Sequence, residues 1–143
     1  MFINPGGPGE SGTFFASMWG PSLGKIVGGE YDILGFDPRG TGASTPLAAC
    51  FESEAEREIW GTQGEHRLVS TSDDTLMVYR TRERLVGKRC EERIGGEGGV
   101  GRFAGTASVA RDLVEIAKKL GQEKVHYWGF VSHLCYLRSY TDL

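Results

Sequence analysis

The chain has 143 residues, 39% of them apolar and 24% charged, with a formal net charge of −3. That length suits one globular domain with a core, and a weakly acidic balance gives no footing for nucleic acid or an anionic membrane surface. No apolar run reaches the ~18 residues of a membrane span, and the start, Met1-Phe2-Ile3-Asn4-Pro5, has neither the basic nor the apolar region of a signal peptide.

Phe2-Ile3 reads as the stub of a strand that opens into Asn4-Pro5-Gly6-Gly7-Pro8-Gly9-Glu10-Ser11-Gly12. Glycine reaches φ > 0 and allows close backbone approach; proline fixes φ and removes a donor. Such a loop at a strand end aims backbone N–H groups, a construction used for phosphates and for the oxyanion of acyl transfer. With no lysine present, a donor to a carbonyl oxyanion fits better than a phosphate cradle; a plain turn is the simpler alternative. A loop so specialised this close to residue 1 leads us to expect further chain upstream.

Residues 13–20 are expected to form a short helix ended by a turn at Pro21 and Gly24. Tyr31–Asp37 reads as a buried strand, nearly continuous in apolar residues as in a parallel sheet covered on both faces, and Asp37-Pro38-Arg39-Gly40-Thr41-Gly42-Ala43-Ser44 breaks it. Residues 52–60 look helical and solvated. A longer helix over about 74–94, capped by Asp73 or Asp74, carries Leu76, Tyr79, Val86, Cys90 and Ile94 on one stripe. Its Arg80, Arg82, Arg84, Lys88, Arg89 and Arg93 read as a solvated face diluted by glutamates.

Residues 95–105 read as a flexible glycine-rich linker. Thr106 or Ser108 then opens a helix to Leu120 with Val109, Leu113, Ile116 and Leu120 on its core face, Lys118 and Lys119 at its negative end and Gly121 beyond it. Lys124–Trp128 is a strand by its β-branched and aromatic content. Strand, helix, strand with short loops means a parallel α/β sheet.

Two other glycine motifs fail on context. Gly96–Gly101 matches GxGxxG, but a charged helix precedes it where the dinucleotide fingerprint needs a buried strand. Gly24-Lys25 has Trp19 and Ile26 where a P-loop needs Gly and Ser or Thr. Cys50, Cys90 and Cys135 form no CxxC, and His66, His126 and His133 have no metal-ligand spacing with them, so no metal is expected. Cys50 and Cys90 form either a bridge in a secreted protein or two buried thiols.

Taken together, Asn4–Gly12, Tyr31–Ser44 and Val125-His126-Tyr127-Trp128-Gly129-Phe130 resemble the α/β-hydrolase superfamily, and within it the tripeptidyl aminopeptidase-like and proline iminopeptidase-like branch. The resemblance implies an α/β class and a partial α/β-hydrolase fold over residues 1–130: a parallel sheet fragment, the third to fifth strands, with flanking helices. It implies that the Gly7 amide is one oxyanion-hole donor, that Gly6, Pro8 and Gly9 shape the turn, and that Asp37 and Arg39 brace loops structurally. It further implies a serine hydrolase acting on peptides, or on small esters or amides, through an acyl-enzyme, with no cofactor, no nucleic acid and no membrane. Family members are often secreted, which favours a Cys50–Cys90 bridge.

The resemblance stops in mid-elbow. The family's G-x-S-x-G places a serine on a tight strand-to-helix turn; here the chain reads Gly129-Phe130-Val131-Ser132-His133, with Val131 at the nucleophile position and no glycine at 133. Ser132 is one residue late, and its neighbour His133 is not placed to activate it. The acid and the histidine, which follow the serine in this fold, are expected beyond Leu143, so no catalytic residue is assigned. Residues 131–143 form a divergent tail, and Val-Ser, encodable as an intron donor sequence, suggests a translated intron. Unpaired sheet edges lead us to expect poor solubility in isolation. The alternative reading is a non-catalytic α/β-hydrolase-like binding or regulatory protein.

Overall fold

A computed structural model describes residues 1–7, 9–64 and 72–130, without the side chain of Asp73. The chain divides into two compact units, Met1–Ala48 with Phe103–Leu143, and Ala49–Arg102.

In the first unit, β1 (Phe2–Asn4) pairs in parallel with β2 (Tyr127–Gly129), with Phe2 opposite Tyr127 and Asn4 opposite Gly129. On its other side β1 bridges Leu34: the Ile3 N–H donates to the Leu34 carbonyl and the Leu34 N–H to that of Met1, both at 2.9 Å. The order is therefore the Leu34 segment, β1, β2, all parallel. The central position explains why Phe2 and Ile3 are each only 1% exposed.

The segment expected as a full strand over 31–37 makes this one bridge, and its residues are half-buried or exposed. It is nonetheless extended and covered on both faces. Ile33 lies against Gly20 and Gly24, and Gly35 against Gly12 and Ala16, all in α1 (Gly12–Val27); Leu34 and Phe36 pack with Leu113, Ala117 and Ile116 of α4 (Thr106–Lys119). Alternate residues facing opposite sides is the two-residue period of a strand.

α1 runs through Pro21 and Gly24, where a turn was expected, to Gly28 at φ 93°. Its start is fixed by Ser11, whose hydroxyl accepts from the Phe14 N–H at 3.1 Å. Pro21 is exposed, so the helical bond it removes lies on the water side, while Gly20 and Leu23 hold the opposite face down. In α4 the buried positions are Val109, Ala110, Leu113 and Ala117; Leu120, expected in the core, is 53% exposed and caps the helix. Gly121 at φ 72° ends it as expected.

The second unit holds α2 (Glu54–Thr62) and α3 (Asp73–Ile94), capped by Ser53 and by Ser72 rather than by Asp73 or Asp74. Cys50 and Cys90 are bridged. The basic face of α3 is only partly solvated. The Arg82 guanidinium lies 4.3 Å over the Trp60 ring and donates to the Trp60 carbonyl; that of Arg89 lies 5.1 Å over Phe51, pairs with Glu56 and donates to the Cys50 carbonyl at 2.8 Å. Arg93 meets Glu52 and the Ala49 carbonyl, both at 3.3 Å. The glycine-rich stretch expected as a flexible linker folds into turns and a 3-10 helix, Val100–Phe103.

Candidate oxyanion-loop site

The loop after β1 begins with Asn4, 7% exposed, whose side-chain oxygen accepts the buried Gly6 N–H at 2.7 Å. This two-residue return is an Asx turn, and it ties Gly6 inward. Gly6, Gly7 and Gly9 have φ of 96°, 109° and 107°. A Cβ on Gly7 would stand 3.0 Å from the Gly9 nitrogen, so both conformation and space require glycine there. Gly7 and Gly9 are exposed, and among the described residues no acceptor meets the Gly7 N–H. Pro8 lies outside the described residues.

The Phe130 N–H donates to the Asn4 carbonyl at 2.9 Å, and the Phe130 ring meets Phe15 of α1 edge-on at 5.3 Å. The exit of β2 and the mouth of the glycine loop are therefore neighbours at the C-terminal end of the parallel sheet, where open α/β sheets bind their ligands. Val131, Ser132 and His133 follow immediately but lie outside the described residues.

Asp37 joins three segments that are distant in sequence. Its Oδ1 accepts from the Ser11 hydroxyl at 2.8 Å and the Thr13 N–H at 3.0 Å, its Oδ2 from the Ala43 N–H at 2.8 Å, and the Thr13 hydroxyl reaches both oxygens. Its own carbonyl accepts from the Ser44 hydroxyl at 2.6 Å. Burial pushes the carboxyl up, but the N–H groups of Ala43 and Thr13 and the hydroxyls of Ser11 and Thr13 outweigh it and bring it down from 3.8 to about 2. The start of α1 adds a favourable dipole. The carboxylate thus fixes the far end of the glycine loop to the turn 40–44. Gly42, at φ 56°, passes so close that a Cβ would collide with the Asp37 carboxylate.

Arg39 forms a two-pronged pair with Asp112 of α4, Nε to Oδ2 at 2.5 Å and Nη2 to Oδ1 at 2.6 Å, which holds the guanidinium more firmly protonated. Neither Asp37 nor Arg39 points a free group at the loop. Asn4, Ser11, Thr13 and Asp112 were not singled out by sequence. Asn before Pro-Gly, and Ser11 opening the run 13–20, are local signals for the first two; nothing local announces the others.

The model of the α/β hydrolase fold family matches residues 1–130. Serine protease Hip1 of Mycobacterium tuberculosis is 34% identical over 131 residues, which cover 91% of this chain and 24% of that protein. Tripeptidyl aminopeptidase of Streptomyces lividans is 31% identical over 144 residues, 96% of this chain and 24% of its own length. Carboxylesterase B of M. tuberculosis is 36% identical over 61 residues, 42% of this chain and 12% of that protein. The chain belongs to the α/β-hydrolase fold family, and it spans about a quarter of the length of the serine protease and the tripeptidyl aminopeptidase that it matches. No helix among the described residues is long and apolar enough to cross a membrane.

Proposed function

We propose that residues 1–130 are the part of a peptide-cleaving serine hydrolase that supplies one half of the oxyanion hole, in an enzyme that releases residues from the N-terminus of peptides through an acyl-enzyme. The observation that carries this is the Gly7 N–H: exposed, without an acceptor among the described residues, and set at positive φ beside the exit of β2. A preorganised backbone donor at that place is what a tetrahedral intermediate needs. Asn4 and Gly6 set its direction from one side and Asp37 from the other, while Arg39 with Asp112 braces the following turn. The two relatives named for peptide cleavage, matched over nearly the whole chain, support a peptide over an ester.

The chain as it stands forms no acyl-enzyme, because Val131 occupies the nucleophile position of the elbow. A fluorophosphonate probe is expected to leave it unlabelled; a labelled serine overturns the inactivity. The oxyanion-loop reading is tested separately. Residues 1–130 are exchanged for the matching segment of the Streptomyces tripeptidyl aminopeptidase, and a folded chimera is expected to retain probe labelling at the relative's own nucleophile. A folded chimera that is unlabelled overturns the reading.

A further inference from the structure

We infer that Ala49–Arg102 is a redox-gated module: α2 and α3 stay ordered only while Cys50 and Cys90 are bridged, and reduction releases them while the β1–α1–α4–β2 unit keeps its fold.

Three observations carry this. First, the buried apolar side chains, Phe2, Ile3, Leu23, Val109, Ala110, Leu113 and Ala117, all belong to the other unit; among the described residues of 49–102 the one buried side chain is Thr75. A unit without an apolar core depends on cross-links. Second, two of the three arginine contacts between the 49–60 segment and α3 flank the bridge, the third being Arg82 on Trp60 two turns away. Arg89, beside Cys90, holds Phe51, Glu56 and the Cys50 carbonyl; Arg93, one turn on, holds Glu52 and Ala49. These pairs are partly exposed, and such pairs alone hold little. The bridge, closing a separation of 40 residues, is the strongest constraint on their register. Third, the bridge can be reached: Cys90 lines an open cleft of about 620 Å³ with Gly87, Ile94, Gly95 and Gly101.

The reductant is a dithiol. One of its thiolates attacks a bridge sulfur, the S–S bond breaks and the other cysteine leaves as a thiolate that takes a proton. The second thiol of the reductant then displaces the mixed disulfide, closing its own ring and freeing the other cysteine. Two electrons and two protons pass to Cys50 and Cys90, and the dithiol is oxidised. Released, the segment frees Phe51 and Trp60 from their arginine partners.

The test is hydrogen exchange read by mass spectrometry on the whole chain in a Cys135→Ser background, with and without dithiothreitol, the gain of two hydrogens confirming reduction. Protection in 54–62 and 73–94 is expected to fall about a hundred-fold or more, with 12–27 and 106–119 unchanged. A Cys50→Ala/Cys90→Ala chain without reductant is expected to match the reduced protein. Protection retained in α2 and α3 in either case overturns the proposal, as does equal loss in both units.

Discussion

Gly12→Ala is expected to destabilise the chain by about 3 kcal/mol, although two general effects favour alanine there. Alanine exceeds glycine in helix propensity by about 1 kcal/mol, and it also lowers the entropy of the unfolded chain. Both gains are overridden locally. A Cβ on Gly12 would fall on the carbonyl oxygen of Phe36, and reciprocally one on Gly35 on the carbonyl of Gly12. Neither obstacle is a flexible side chain, so α1 must lift away from the extended segment, undoing the contacts of Gly20 and Leu23 on the same face. Gly24→Ala, in the same helix, is the control: its Cβ would meet only the Ile33 Cγ1 at 3.8 Å, ordinary contact, and it is expected to be neutral or stabilising by up to ~1 kcal/mol. Urea unfolding followed by helix signal separates the two. Equal midpoints for both variants would mean that α1 does not seat on Gly35 as described.

That contact also shows why some of the fold was legible in the sequence and some was not. Features carried by neighbouring residues were readable. Phe2-Ile3 gave a strand, Lys118, Lys119 and Gly121 gave the end of α4, and the Pro-Gly alternation of 4–12 gave a loop with positive φ. The family followed from three such segments in order. Features decided by distant partners were misread. Pro21 and Gly24 are local helix breakers, but the flat glycine face lying on Ile33 carries α1 through both. Tyr31–Asp37 has the composition of a strand, yet exchanges backbone bonds with β1 only at Leu34.

The charged stretch of α3 is the sharpest case. Arg82, Arg89 and Arg93 fall on the same helical stripe as Val86 and Cys90, a spacing that was available and outweighed by the general habit of mixed charges to face water. Their partners, Trp60, Phe51 and Glu52, sit across a separate stretch of chain, and no helical period points to them. In the site, the glycines were legible because their need for positive φ is their own property. The carboxylate at their far end, Asp37, was named as a loop brace only through the family resemblance, and its partners were not named at all, because Asp37, Thr13 and Ala43 meet only after folding.

Asp37→Asn is expected to cost about 1–2 kcal/mol at neutral pH, a cost that shrinks along the acid limb of the pH profile. Asparagine keeps the shape but offers one acceptor oxygen and an NH2 group. The Thr13 and Ala43 N–H groups and the Ser11 hydroxyl approach the two carboxylate oxygens from different sides, so one of them must face the new amide donor. The sign of the pH dependence follows from the carboxyl lying at about 2 in the folded protein against 3.8 ordinarily. The unfolded chain takes up the proton first, so the contribution is complete above about pH 4 and disappears as pH falls through 2. Wild type should therefore lose stability across that window more steeply than Asp37→Asn, and the two curves should converge at its acid end. Thermal unfolding from pH 2 to 7 measures both. A constant gap down to pH 2 would mean that the variant suffers from lost packing, and that the carboxylate charge does not tie the glycine loop to the 40–44 turn.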